Sequence, residues 1–129
     1  MYPVSKRVIW LGAMDPRIRG TVSCGFLTFM DQMEHNHCTC WKFDGLRELV
    51  DYPDIYSLIA PRPLQCQNGL AEPADQFPVN LARQAMGEIK QAYVDFSVPG
   101  YAGLAVHPGG HEVDVEAMTA FMAVHLRKP

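Results

Sequence analysis

The sequence predicts an α/β fold, a three-layer sandwich in which about three parallel strands are flanked by helices. Short segments rich in β-forming residues alternate with longer segments of helical periodicity, and Gly or Pro bounds the strand-like segments. Strands that alternate with helices form parallel βαβ units. Because 129 residues suffice for one core, we expect a single domain spanning residues 1–129.

Four elements are predicted in the first half of the chain. Residues 4–14 have helical periodicity, and Asp15-Pro16 ends that helix. Residues 19–27 form a short run of β-forming residues, typical of a strand buried on both faces. A helix is predicted over residues 29–35. Residues 36–52 form a long irregular connection, which is uncommon unless the segment has a function.

The middle of the chain contains a short helix followed by a strand. Pro53 lies between two aspartates, a pattern typical of a helix start, and Pro61 ends a helix predicted over residues 55–60. The strand predicted over residues 64–68 ends at Gly69.

Two amphipathic helices enclose the last predicted strand. Residues 79–96 show the clearest helical periodicity, residues 102–106 form a short apolar strand, and apolar residues from 115 to 126 define a final helix. We expect Met86, Met118 and Met122 on these helices to pack in the core.

Composition and charge exclude several classes of partner. The net charge of -3, without a run of Lys or Arg, predicts no nucleic-acid partner. No apolar run approaches the ~20 residues of a membrane helix, so no membrane association is expected. The first residues lack a basic-then-apolar signal, so a cytoplasmic location with reduced cysteines is predicted.

A cluster of histidines and cysteines lies in the long connection. His35, His37, Cys38 and Cys40 are ligand types that could suit zinc. Their spacing is too cramped for all four to reach one tetrahedral ion. We therefore predict no metal and no cofactor.

Four motifs occur in an order that resembles a known family. They are Ile9-Trp-Leu-Gly-Ala-Met-Asp-Pro-Arg-Ile18, Leu58-Ile-Ala-Pro-Arg-Pro-Leu64, Asn68-Gly69 and Gly109-Gly110-His111. Together they resemble the second half of α/β-hydrolases of the acetyl xylan esterase and dienelactone hydrolase type. The resemblance implies a partial α/β-hydrolase fold that holds the sixth, seventh and eighth strands of the complete sheet.

The resemblance also implies two catalytic positions. Glu72, shortly after Asn68-Gly69, stands in the place of the family's acid, with Asp75 as the alternative. His111 stands in the place of the general base, whose imidazole takes the proton of a serine.

The family's nucleophile has no counterpart in the sequence. Its serine belongs on a Gly-x-Ser-x-Gly turn between a strand and a helix, and that position falls near Tyr2. Ser5, Ser23 and Ser57 lack such a turn. We therefore expect no esterase activity from this chain alone.

Three functions remain open from the sequence. The first is a non-catalytic, self-associating module, a homo-oligomer buried around the first strand or the helix near Val4. The second is a carboxylic-ester hydrolase completed by a partner chain, a complementing hydrolase half, or by an unorthodox nucleophile. The third is a small-molecule binding module that uses the cleft around Glu72 and His111.

Overall fold

A computed structural model describes residues 2–37 and 44–127, with the side chains of residues 2–5 excepted. The elements, in chain order, are α1 Tyr2–Met14, β1 Thr21–Cys24, α2 Met30–Asn36, α3 Leu46–Leu49, α4 Tyr52–Ser57, β2 Leu64–Gly69, α5 Val79–Asp95, a 3-10 turn Pro99–Tyr101, β3 Ala102–His107 and α6 Val115–His125.

The three strands form one parallel sheet in the order β1-β2-β3. Thr21 pairs with Leu64, and Gly69 at the end of β2 pairs with His107 at the end of β3. The predicted α/β class with three parallel strands is confirmed.

Helices cover both faces of the sheet, which makes three layers. On one face Cys66 of β2 is fully buried, close to Tyr56 of α4 and Tyr93 of α5. Side chains alternate along a strand, so Gln65 points to the opposite face, where its Nε2 donates to the backbone oxygen of Ala117 in α6 at 3.2 Å. The sheet therefore lies between α6 and the helices α1, α4 and α5.

Three predicted segments differ from the structure. The helix predicted over residues 55–60 is observed earlier in the chain, as Tyr52–Ser57. The strand predicted over residues 19–27 is limited to Thr21–Cys24, because Gly25 takes a left-handed backbone conformation with φ 69° and turns the chain out of the strand. The connection predicted as irregular contains α3, Leu46–Leu49, while its residues 38–43 lie outside the described part.

Helix α6 is less buried than its sequence predicted. Met86 of α5 packs in the core at 4% exposure, but Met122 of α6 is 42% exposed, and Met118 is half-buried. The prediction of core packing is therefore wrong for Met122. Helix α6 has apolar residues on several sides, but the described residues cover only the side that faces the sheet. Val115 and Val124 are also exposed.

The two strand cysteines should differ in reactivity from unfolded cysteine. Burial raises the pKa of the Cys66 thiol, and burial also raises the pKa of Cys24, which is half-buried. A raised pKa leaves less of the reactive thiolate at a given pH. We predict that iodoacetamide at pH ~8, where free cysteine with its pKa of about 8.5 is partly thiolate, leaves Cys66 unlabelled in the native protein and labels Cys24 slowly.

Peptide mass spectrometry after timed quenching measures this prediction. Labelling in denaturant supplies the control, and both cysteines should then react at the rate of free thiols. Equal rates at Cys66 in the native and denatured protein would contradict the buried position of β2.

Candidate active site

Residues from all three strand ends meet at the carboxyl edge of the sheet. Gly25 directly follows β1, Glu72 lies in the turn after β2, and His111 lies in the turn after β3. Parallel strands end at the same edge, where open α/β sheets place their binding sites. The topology thus brings together residues that are distant in sequence.

Glu72 and His111 form a carboxylate–imidazole pair. Glu72 Oε1 lies 3.2 Å from His111 Nδ1, and the two side chains are 2% and 23% exposed, respectively. A carboxylate can only accept a hydrogen bond, so a bond to Glu72 requires the proton on Nδ1, and the neutral ring then has its lone pair on Nε2. The ring is therefore arranged to take a proton at Nε2. Asp75, the alternative acid, is exposed on the same loop.

The loop that carries Glu72 is anchored to the end of β2. The side chain of Asn68 is buried, and its Nδ2 donates to the backbone oxygen of Phe77 at 3.1 Å. At the start of the loop, the backbone N–H of Glu72 donates to the oxygen of Gly69 at 3.2 Å. These bonds hold both ends of the segment from which the carboxylate projects.

The loop that carries His111 packs against the same turn. The backbone N–H groups of Leu70 and Ala71 donate to the oxygens of His107 and Gly109, at 2.8 and 3.0 Å. A Cβ at Gly69 would overlap the backbone oxygens of Gly109 and Gly110 and lie 2.9 Å from the Gly109 carbonyl carbon. Glycine at position 69 is what allows the two turns to approach so closely.

The imidazole of His111 lies between Gly25 and Phe77. Its ring centroid is 5.7 Å from that of Phe77, with the planes inclined by 26°. A Cβ on Gly25 would lie 2.7 Å from His111 Cε1, so glycine there both adopts the positive φ and makes room for the ring. The two neighbours restrict the ring to the plane in which it meets Glu72.

The described serines are engaged or placed elsewhere. Ser23 Oγ is 2.7 Å from the hydroxyl of Tyr56 in the buried layer, and Ser57 Oγ donates to the backbone oxygen of Pro53 at 2.7 Å. Ser97 is exposed after α5. The side chains of Tyr2 and Ser5 lie outside the described residues.

The predicted histidine–cysteine cluster is described in part. Cys38 and Cys40 lie outside the described residues, His35 Nδ1 lies 2.7 Å from the backbone oxygen of Asp31, and His37 stacks on Phe77 at 4.9 Å. Across residues 2–37 and 44–127, no three potential ligands gather as a metal site would require. Nor does this part of the chain contain a helix of the length and apolarity that a bilayer span needs.

Sequence reasoning did not single out Gly25 and Phe77, which contact His111, or Gln67 of β2, which bonds to the backbone of Asp114 just after the turn of His111. Gln67 was detectable, because a long polar side chain in a strand between Cys66 and Asn68 is unusual for a strand with helices on both faces. Gly25 and Phe77 contact His111 only through the tertiary fold, so no local pattern marks them.

Comparison with solved structures identifies the fold. The chain superimposes on a carbohydrate esterase family 15 glucuronoyl esterase from Caldicellulosiruptor kristjansonii with a TM-score of 0.79 at 18% identity, covering 95% of this chain and 41% of that one. A glucuronoyl esterase from Solibacter usitatus matches with a TM-score of 0.77 at 15% identity. The match covers 96% of this chain and 41% of that one. The glucuronoyl esterase catalytic domain from Hypocrea jecorina matches with a TM-score of 0.73 at 17% identity. The match covers 95% of this chain and 42% of that one.

These matches show that the chain has the fold of part of an α/β-hydrolase. The chain spans about two fifths of the length of the structures it matches. No protein-family model matches the sequence, and no curated protein matches it. The expectation of a partial α/β-hydrolase fold is thereby confirmed.

Proposed function

We propose that this chain is the acid–base half of a serine-type carboxylic-ester hydrolase, completed by polypeptide outside the present sequence. One observation carries the proposal: Glu72 Oε1 lies 3.2 Å from His111 Nδ1, and the carboxylate is buried. Burial of a carboxylate is costly unless it is paired. A pair of this kind, at the carboxyl edge of a parallel sheet, is the arrangement that general-base catalysis uses.

The pair supports a two-step ester hydrolysis. His111 Nε2 takes the proton of an attacking hydroxyl as its oxygen bonds to the ester carbonyl carbon, and Glu72 stabilises the imidazolium. The imidazolium then gives its proton to the departing alcohol, which leaves an acyl-enzyme. Water, deprotonated by the same nitrogen, attacks the acyl carbon; the proton then passes to the oxygen of the nucleophile, which departs as the hydroxyl and releases the acid.

The remaining parts of the reaction belong to the completing polypeptide. It would bring the nucleophilic hydroxyl and the backbone N–H groups that stabilise the oxyanion. Within the described residues, β1 has one strand neighbour, and α6 beside it exposes apolar side chains. This surface is where we place the completing half, since an unpaired strand edge and an uncovered apolar helix both favour a partner.

The names of the matched structures support the proposed substrate class. The relatives are glucuronoyl esterases, and the sequence motifs resemble acetyl xylan esterases and dienelactone hydrolases. All of these names denote cleavage of a carboxylic ester. An ester of a sugar or a sugar acid is accordingly the first substrate to test.

The chain itself permits a test of the acid–base pair. With histidine labelled by ¹⁵N and the ring neutral, NMR should find His111 as one tautomer, protonated at Nδ1. Glu72→Gln should remove this preference, whereas Asp75→Asn, which changes the exposed carboxylate on the same loop, should preserve it. A wild-type ring protonated at Nε2, or one insensitive to Glu72→Gln, would argue against the proposal.

A second function is favoured by the exposed surface of α6. No residue of α6 is buried, and Val115, Met122 and Val124 are 62%, 42% and 68% exposed. Two copies of the chain could cover each other's α6 and β1 edge, which would make a self-associating, non-catalytic module. Two-fold pairing of one patch with its own copy closes the assembly.

Light scattering at micromolar concentration distinguishes the two functions. Apolar area costs roughly 25 cal/mol per Å² to leave in water, so a self-associating module should give a stable dimer mass. In that function, Val115→Lys and Val124→Lys should restore the monomer, while Lys at Leu49, exposed at 82% in α3, should not. A monodisperse monomer would contradict self-association and leave the surface to a different chain segment.

A further inference from the structure

Gln67 is a fully buried amide in the central strand. Its side-chain oxygen accepts from the backbone N–H of Asp114 at 2.9 Å and from Cys24 Sγ at 3.4 Å. Its side-chain nitrogen donates to the backbone oxygen of Asp114 and to Gln65 Oε1, both at 2.9 Å. Both N–H groups and the oxygen are therefore used, which offsets the cost of burying the amide.

Gln67 makes two hydrogen bonds to the backbone of Asp114, one to its N–H group and one to its oxygen. Two-point attachment fixes the position and the orientation of that peptide segment, as in a strand ladder. Asp114 is also the N-cap of α6, and its side chain accepts from the backbone N–H of Ala117 at 3.0 Å. Gln67 therefore determines where the turn after β3 ends and where α6 begins.

The two bonds from Gln67 to Asp114 restrict the position of His111, which lies three residues before Asp114. The other end of the turn is held by Leu70 and Ala71, whose N–H groups donate to His107 and Gly109. Between the two anchors, the imidazole reaches Glu72 across 3.2 Å, at the long limit of a hydrogen bond. A small displacement of the turn is enough to break that bond.

We propose that Gln67 is a positioning residue for His111, acting through the backbone of Asp114 to hold the imidazole against Glu72. The inference rests on the proposed acid–base role of the pair. Gln67 and Glu72 lie five positions apart in the same segment, so one strand end positions both the carboxylate and the imidazole it meets.

Gln65 provides a matched control for a purely structural effect. It lies on the same strand and face and is partly buried; its Nε2 donates to Ala117 within α6, and its Oε1 accepts from Gln67 Nε2. Gln65→Glu keeps the acceptor for Gln67 and removes only the donor to α6. Loss of either glutamine should lower stability, since each removes hydrogen bonds to α6. The tautomer of the His111 ring should respond to Gln67 alone.

The experiment compares ¹⁵N spectra of the neutral His111 ring in the full chain and its variants. Wild type and Gln65→Glu should show a single tautomer protonated at Nδ1. Gln67→Met fills a similar volume without the amide. This variant should lose the preference for the Nδ1 tautomer, and its ring ¹⁵N shifts should be averages over the two tautomers. If Gln67→Met does not fold, Gln67→Asn, which keeps an amide but is one methylene shorter and so withdraws it from Asp114, should show the same loss.

The outcomes test separately the positioning role of Gln67 and the pairing of Glu72 with His111. A wild-type signature in a folded Gln67 variant, or an equal loss in Gln65→Glu, overturns the positioning role. Glu72→Gln is measured alongside: if it leaves the signature unchanged, the acid–base pair itself is wrong. If Glu72→Gln removes the signature while the Gln67 variants keep it, the pair stands and only the inference about Gln67 fails.

Discussion

Replacing Glu72 by Gln should lower kcat by about 10⁴-fold in an enzyme completed by a nucleophile-bearing half. Such an enzyme can be made as a chimera, in which this chain replaces the matched 41% of the Caldicellulosiruptor kristjansonii glucuronoyl esterase. Glutamine keeps the shape of the side chain but can present its NH₂ to His111 Nδ1. The ring then carries its proton on Nε2, the nitrogen that must accept one.

Asp75→Asn is the matched control for Glu72→Gln. Both variants remove one negative charge from the loop after β2, but Asp75 is exposed and Glu72 carries the contact to His111. We expect Asp75→Asn to leave kcat unchanged. Comparable losses in both variants would show that the charge of the loop matters and that the bond to His111 does not.

Gly69→Ala should destabilise the protein by ~3 kcal/mol, at the upper end of the usual cost of overpacking. The added methyl group would overlap backbone oxygens of Gly109 and Gly110, and a backbone turn cannot rotate away as a flexible side chain can. The turn that carries His111 must move, so the contact with Glu72 should be lost as well. Urea unfolding measures the first effect, and the ¹⁵N spectrum of His111 the second.

Gly103→Ala on the adjacent strand provides the control for Gly69→Ala. A Cβ at Gly103 meets no atom within 4 Å, so the substitution should be neutral or slightly stabilising by ~0.5 kcal/mol. If Gly69→Ala changes the free energy of unfolding as little as Gly103→Ala does, the close approach of the two turns is not required for stability.

The order of elements was predictable because it depends on local patterns. The helix predicted over residues 79–96 is observed as Val79–Asp95, since the spacing of Ala82, Ile89 and Tyr93 places them all on the buried face. The helix after Asp51 has Asp51 as its N-cap, in agreement with the Asp and Pro pattern, but it spans Tyr52–Ser57 and not the predicted residues 55–60. The end of β1 was missed because glycine at position 25 has no distinctive pattern around it.

The site was predictable only as far as the family motifs reach. They placed the acid at Glu72 or Asp75 and the base at His111, and the structure brings Glu72 and His111 into contact. Sequence could not show which carboxylate meets His111, because that contact depends on how the loop between Gly69 and Phe77 folds; the catalytic roles of these residues remain a proposal. Gln67 stands out in the sequence as a polar residue of a buried strand, but its partner Asp114 lies 47 positions away, so the sequence could not show what it contacts.

The turnover of the chimera, with and without His111, tests the central claim most directly. With a short-chain aryl ester and a methyl ester of glucuronic acid, we predict saturable hydrolysis by the chimera that His111→Ala abolishes. This chain alone should match buffer. A chimera that folds as a monodisperse protein but shows no turnover, or one whose turnover is unaffected by His111→Ala, would contradict the claim that this chain supplies the acid and base.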